Sequence, residues 1–321
     1  MPGMNVFFSD YTIADQLDIE ENILAPAGFK IVRANCTTEQ DVLEAIEGVD
    51  PVAIVTQWAP ITPAVMDKCP NLKVVSRNGI GVDNIDLKYC KERGIIVTNS
   101  PKYCTPEVAD HAMSLVLALI RKLVFATDRV RAGDWGTDYL IPIRRICEQT
   151  LGVVGMGGIG RAVVQRARPF FKEVIGYDPY ATNVEVDGKP VELVSLEELL
   201  KRADVVDLHV PGTEETFHLM NAERFGMMKP SAYIVNTCRG IVIDTEALVE
   251  ALKSGQIAGA GLDVHEHEPL PMDHPLRSFE QVIITPHAAF YSEEAVAQVR
   301  ADTVINVVNV FKNEPPINRV V

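Results

Sequence analysis

Three short segments in the second half of the chain each set an ionisable side chain just past an apolar run. Asn236-Thr237-Cys238-Arg239-Gly240 follows Tyr233-Ile234-Val235, Asp263-Val264-His265-Glu266-His267-Glu268-Pro269 follows Gly259 to Leu262, and Thr285-Pro286-His287 follows Val282-Ile283-Ile284. Arg239, Glu268 and His287 complement one another chemically. A guanidinium holds a carboxylate through its planar fork and polarises a neighbouring carbonyl oxygen. An imidazole gives the proton that must accompany hydride addition to that carbonyl, and a carboxylate beside it fixes the tautomer and stabilises the imidazolium. The set suits reduction of a 2-oxo acid and, in reverse, oxidation of a 2-hydroxy acid. Singly, each residue at a strand end is more often a surface or capping group. Their recurrence at three strand ends carries the argument, because open parallel sheets bind ligands at the carboxyl ends of their strands.

A hydride chemistry needs a carrier, and one segment has the pattern for it. Gly155-Met156-Gly157-Gly158-Ile159-Gly160 is a G-x-G-x-x-G that follows the apolar run Leu151 to Val154 and opens a helical pattern, Arg161 to Phe171. Glycines there permit a tight turn, close approach of backbone N–H groups to a pyrophosphate, and close helix–strand packing. Asp178 ends the next apolar run, 18 residues beyond the last glycine. A carboxylate at that place accepts both ribose hydroxyls of NAD and repels the 2′-phosphate of NADP. The following Pro179-Tyr180-Ala181-Thr182 has no Arg to hold such a phosphate. The cofactor expected is NAD.

Two series of elements must position these groups. Val6-Phe7-Phe8, Ile31-Val32, Val52 to Val55, Val74-Val75 and Ile95-Ile96-Val97 read as strands, as do Leu151 to Val154, Val174 to Tyr177, Val205-Val206, Tyr233 to Val235, Gly259 to Leu262 and Val282 to Ile284. Apolar runs without alternation suit strands covered on both faces, and helical patterns between them argue an α/β class with parallel sheets. A join is expected near Ser100-Pro101. Beyond it Glu107 to Arg131 reads as one long apolar helix, buried or interface-forming, and Ser292 to Lys312 as a last helix able to pack back on the first series.

The chain of 321 residues carries 30 Lys and Arg against 44 Asp and Glu, a formal net charge of −14, and is 47% apolar. Length predicts about two domains, and composition excludes a disordered chain. So acidic a surface, with no Lys/Arg run, argues against nucleic acid and anionic lipid as partners. No apolar stretch reaches the length of a membrane span, and the first ten residues lack the signature of a signal peptide. Six scattered cysteines without C-x-x-C spacing predict reduced thiols and a cytoplasmic protein. His265 and His267 would share a face of an extended segment, but no third ligand has suitable spacing, so no metal is expected.

Nearly the whole length resembles the D-isomer-specific 2-hydroxyacid dehydrogenase family. The resemblance is carried by Arg77-Asn78-Gly79-Ile80-Gly81-Val82-Asp83-Asn84-Ile85-Asp86, the Gly155 to Gly160 loop, Asn236 to Gly240, Asp263 to Pro269 and Thr285 to His287, in that order. It implies two doubly wound parallel-sheet domains. A Rossmann NAD-binding domain (102–288) would be inserted into a flavodoxin-like catalytic domain made of 1–101 and 289–321. It also implies Arg239, Glu268 and His287 as the catalytic set, with His287 the proton donor in reduction and the base in oxidation. The backbone amides of Ile80 and Gly81 would bind the substrate carboxylate, as a glycine-bounded loop exposing N–H groups can. Cofactor contacts are implied for Val108, Gly155, Gly157, Gly158, Ile159, Gly160, Asp178, Val210, Pro211, Thr237, Cys238, Asp263 and His287, and the assembly would be a homodimer.

Within the family, the segments around Glu268 and His287 look most like the C-terminal binding proteins, NAD(H)-binding corepressors that keep a dehydrogenase site. The Arg77 to Asp86 loop is similar to that of phosphoglycerate dehydrogenases. The chain departs from the first group at Phe290, where they carry Trp, and lacks their long tail; it also lacks the regulatory domain of many of the second. Cys238 stands where Ala is usual, either as a small residue or as a thiol able to sense oxidation, and Ile241 where Gly is usual. Trp58, Tyr139, Phe290 and Tyr291 read as pocket walls or dimer contacts. The leading expectation is an NAD-dependent D-2-hydroxyacid dehydrogenase; the alternative is an NADH-sensing, corepressor-like binding protein.

Overall fold

The computed structural model describes residues 4–10 and 16–321. The chain divides into two compact units, one formed by residues up to Cys104 together with Tyr291–Val321, the other by Thr105–Phe290.

The first unit alternates β1 (Met4–Phe8), α1 (Asp18–Leu24), β2 (Phe29–Arg33), α2 (Glu39–Ala45), β3 (Ala53–Thr56), α3 (Pro63–Asp67), β4 (Val74–Arg77), α4 (Leu87–Arg93) and β5 (Ile96–Thr98). Its sheet runs β2-β1-β3-β4-β5, parallel throughout. That is a flavodoxin-like order. Phe7 faces Val32 and Ile54 across the ladder, and Val75 faces Ile54 and Val97. Phe7, Ile54, Val75 and Val97 are fully enclosed where helices cover the sheet, which is why the inner strands read as unbroken apolar runs. Local signals set the helix ends. Asp86 caps α4 by accepting from the Tyr89 N–H at 2.8 Å, and Gly94, left-handed at φ +69°, closes it.

The second unit comprises α5 (Thr105–Ile120), α6 (Leu123–Arg131), β6 (Thr150–Val154), α7 (Gly158–Ala167), β7 (Glu173–Tyr177), a small antiparallel pair β8 (Glu185–Val186) and β9 (Lys189–Pro190), β10 (Glu192–Leu193), α8 (Leu196–Arg202), β11 (Val205–Leu208), α9 (Ala222–Met227), β12 (Tyr233–Asn236), α10 (Thr245–Lys253), β13 (Gly259–Leu262) and β14 (Val282–Ile284). The seven-stranded sheet is ordered β10-β7-β6-β11-β12-β13-β14 and is parallel at every pairing. Strand order reverses between β6 and β11, so the Gly155 loop opens at the switch point, where doubly wound sheets leave a crevice for ligands. α11 (Glu293–Lys312) then returns to the first unit. Val304 and Val307 are fully enclosed there, Ser76 Oγ donates to the Thr303 carbonyl at 2.8 Å, and Arg300 clasps Glu20 through contacts of 2.8 Å. The final residues add to the outer edge of β5, where the Val320 N–H donates to the Val97 carbonyl at 2.8 Å.

The single long helix expected over 107–131 is two. Lys122 adopts a left-handed conformation (φ +52°) and ends α5, and α6 begins at Leu123 in a new direction. α5 buries Ala109, Ala112, Leu115, Val116 and Leu119, whereas α6 buries nothing within its unit. The apolar pattern runs on past the break, so periodicity could not reveal it; a lysine at positive φ leaves no mark of the kind a glycine would. The helix after the glycine loop also starts earlier than expected, at Gly158, inside the motif.

Candidate active site

Each glycine of the G-x-G-x-x-G does a separate job. Gly155 has φ +99°, and a Cβ there would collide with the His209 carbonyl across the switch point; a Cβ on Gly160 would collide with the Gly155 carbonyl. Gly157 and Gly158 face open space within 4 Å. Gly157 caps α7 without a side-chain acceptor for the first-turn N–H groups, which include that of Ile159. Bare amides at a helix N-terminus beside such a cradle suit a pyrophosphate. Asp178, at the end of β7, accepts the Met156 N–H at 2.9 Å through Oδ2 and the Tyr180 N–H at 2.8 Å through Oδ1. Two bonds leave a carboxylate capacity for ribose hydroxyls. The residues present therefore fit a nicotinamide dinucleotide.

The remaining expected cofactor positions line the carboxyl edge of the same sheet or sit beside it. Val210 and Pro211 follow β11; Val210 is buried, as is Val108 in the first turn of α5. Thr237 is buried after β12, and its Oγ1 finds no hydrogen-bond partner among the described residues. Cys238 Sγ donates to Asn236 Oδ1 at 3.1 Å, and burial pushes its thiol up to about 11. A thiol so held stays protonated at neutral pH and is a poor oxidation sensor.

His287 and Glu268 are joined directly, Nδ1 to Oε2, at 2.7 Å. Glu268 Oε1 accepts the His265 N–H at 2.8 Å. Burial pushes the Glu268 carboxyl up, but the hydrogen bond and charge of His287, with the His265 N–H, outweigh it and hold the carboxyl below the ordinary glutamate range. Engaging Nδ1 makes Nε2 the nitrogen through which a proton can be exchanged with a substrate. The loop presenting the ring is fixed from behind. His287 is left-handed (φ +53°), and its N–H donates to the Asp263 carbonyl at 2.8 Å. The Asp263 carboxylate, 1% exposed, accepts from Thr285 Oγ1 at 2.6 Å and from the Ala288 and Ala289 N–H groups at 2.9 Å each. His111 Nε2 lies 3.0 Å from Thr285 Oγ1. Asp263, expected among the cofactor contacts, thus directs its oxygens at the His287 loop. No local sequence pattern announces this anchoring, with His111 and Thr285 in it, because the pairing spans 174 residues.

Arg239 follows β12. Asn236 Nδ2 donates to the Arg239 carbonyl at 2.9 Å, and Arg239 Nη1 to the Cys238 carbonyl at 2.6 Å. Gly240 presses so closely on the His265–Glu266 backbone that any Cβ would collide with it. The loop bearing Arg239 therefore packs on the loop bearing Glu268, and Glu268 touches His287.

In the first unit, Ile80 and Gly81 lie in the turn after β4. Gly79 has φ +146°, and a Cβ there would strike the Arg77 guanidinium; Asn99 Nδ2 holds the Ile80 carbonyl at 2.6 Å, and the Ser100 N–H holds that of Gly79 at 3.0 Å. The Arg77 guanidinium stacks 5.3 Å from the Trp58 ring. Tyr139 packs edge-on to Phe125 of α6 at 5.9 Å. Among the described residues, no group of three His, Cys, Asp or Glu stands close enough to hold a metal ion, and no helix is long and apolar enough to cross a membrane.

Comparison with known proteins agrees with this geometry. Residues 113–289 match the family described as D-isomer specific 2-hydroxyacid dehydrogenase, NAD binding domain. The chain is 42% identical to a glyoxylate reductase of Thermofilum pendens over 80% of its own length and 77% of that protein's. It is 44% identical to a D-3-phosphoglycerate dehydrogenase of Methanocaldococcus jannaschii over 84% of its length, spanning half of that longer relative. A D-lactate dehydrogenase from Aquifex aeolicus, solved with NAD and lactic acid, superposes with a TM-score of 0.85 at 33% identity, covering 97% of this chain and 96% of that one.

Proposed function

Because the chain belongs to the D-isomer specific 2-hydroxyacid dehydrogenase family, we propose that Arg239, Glu268 and His287 interconvert a small D-2-hydroxy acid and its 2-oxo acid. The observation that carries this reading is the 2.7 Å pairing of His287 with Glu268, in the unit whose glycine loop is shaped for a dinucleotide. When bound, NADH supplies the hydride. His287 gives a proton from Nε2 to the carbonyl oxygen in reduction and takes it back in oxidation, while Glu268 offsets the charge of the imidazolium. Arg239 holds the carboxylate of the acid and polarises its carbonyl. In the first unit, the Ile80 and Gly81 amides offer an anion cradle.

Asp178, with no Arg in the following segment, favours NAD over NADP. That none of the six cysteines is in a disulfide suits the cytoplasm. A homodimer is favoured by α6 and the segment after it, where Leu123, Val130, Trp135 and Ile141 are large apolar side chains left exposed. The alternative of an NADH-sensing binding protein draws no support from the relatives above whose names state an activity; each is an enzyme. The test is a panel of small 2-oxo acids (glyoxylate, pyruvate, hydroxypyruvate and its 3-phosphate) with NADH, followed by chiral analysis of the product. Turnover to the D-hydroxy acid is expected for the prochiral members. No turnover with NADH bound, or an L product, overturns the reading.

A further inference from the structure

Two residues before Glu268, on the same loop, a second carboxylate holds a second imidazole. Glu266 Oε1 lies 2.7 Å from His218 Nε2. The other Glu266 oxygen accepts the N–H of Thr245, the first residue of α10, at 2.9 Å. His218 comes from the connection between β11 and α9. It is left-handed (φ +49°), and its ring stacks on Phe217 with centroids 3.9 Å apart and planes 15° from parallel. Its Nδ1 stands 3.7 Å from Asp244 Oδ2.

The backbone of His218 reaches elsewhere. Its N–H donates to the Ile241 carbonyl at 2.8 Å, and two residues on, the Met220 N–H donates to the Val242 carbonyl at 2.9 Å. Residues 241 and 242 continue directly from Arg239 and Gly240. His218 therefore grips the Arg239 loop with its main chain and the Glu268 loop with its ring. Gly240 shows why the tie has consequences: the two loops touch backbone to backbone there, with no room for a Cβ, so a shift of either moves the other. Burial pushes the Glu266 carboxyl up, but the Thr245 and His218 contacts more than reverse this and hold it below the ordinary glutamate range.

We propose that His218 and Glu266 are positioning residues that tie the loop carrying Arg239 to the loop carrying Glu268 and so set the spacing of the catalytic groups. The inference rests on the dehydrogenase reading above for its effect on rate, but not for the tie itself. Neither residue is placed against substrate or cofactor.

The test uses His218→Ala, His218→Gln (which keeps an N–H donor), Glu266→Ala and the double alanine variant. Three readouts are taken: kcat and KM for a 2-oxo acid, NADH affinity by fluorescence, and hydrogen–deuterium exchange of residues 239–243 and 263–269. His218→Ala is expected to lower kcat/KM by about 10- to 100-fold, the scale of a small misplacement of reacting groups. NADH affinity should hold within about threefold, which also reports that the fold is intact. Both segments should exchange faster in His218→Ala and not in His218→Gln, which should recover most of the rate. The double variant should be no worse than either single one, because the pair acts as a unit. The proposal is overturned if His218→Ala leaves rate and exchange unchanged, if His218→Gln is as poor as His218→Ala, or if the two single losses multiply in the double variant. Should the wild type turn over no 2-oxo acid, the dehydrogenase reading fails, and the exchange of the two segments still decides whether the tie exists.

Discussion

One loop carries two imidazole–carboxylate pairs of the same length, Glu268 with His287 and Glu266 with His218, each at 2.7 Å. They differ in what stands behind them. Glu266 has its second oxygen anchored on the start of a helix, and its imidazole lies flat against Phe217 with Asp244 alongside. The His287 ring is carried by a short turn braced through Asp263 and Thr285. A histidine clamped by its own element joins loops; a histidine held out on a braced turn can trade a proton. Distance alone does not distinguish a catalytic pair from a structural one, and the surroundings do.

Removing Arg239 should weaken the working side of this comparison most among the groups other than His287. Arg239→Ala is expected to lower kcat/KM for a 2-oxo acid by about 10²- to 10³-fold, as loss of a donor to a developing oxyanion does, while steady-state kinetics show NADH KM little changed. Next comes the brace. Asp263→Asn places an NH2 against donors that now point at a carboxylate, and calorimetry should show a loss of about 1–3 kcal/mol, the cost of a buried unsatisfied polar group. The same change in Glu266 should leave the His287 turn in place.

Glu268 is held below its ordinary range in the folded protein, so its pairing adds stability that is present above the ordinary glutamate pKa and is lost as pH falls through the lower folded value. Glu268→Gln should therefore melt below wild type at neutral pH, with the gap narrowing in acid below about pH 4. A gap that widens in acid would mean the carboxyl is not held down. The smallest effect separates the thiols. Cys147 is exposed, whereas burial raises the Cys238 thiol to about 11, so mass spectrometry after mild alkylation should find Cys147 labelled well before Cys238.

Most strands were legible because parallel strands covered on both faces need unbroken apolar runs, and Val52 to Val55 or Val205-Val206 announce themselves that way. The glycine loop was legible because tight turns and bare helix ends demand glycine at fixed spacing. Arg239, Glu268 and His287 stood out as strand-end residues. Lys122 did not, since a left-handed lysine in an apolar pattern breaks a helix without punctuation. Nor did β10, two residues long at the sheet edge, or the roles of Asp263, His111 and His218. Those depend on contacts between distant segments, His218 meeting Glu266 across 48 residues, and a lone histidine in a loop carries no sign of its partner.

Of the two pairs of equal length, only His287 is expected to move the proton. Steady-state turnover of one accepted 2-oxo acid by His287→Ala and His218→Gln, side by side with wild type at saturating NADH, tests it most directly. The prediction is a fall in kcat of about 10²- to 10⁴-fold for His287→Ala, the range for a lost general acid, and near-wild-type kcat for His218→Gln. A His287→Ala enzyme within a few-fold of wild type, with NADH binding intact, would contradict it.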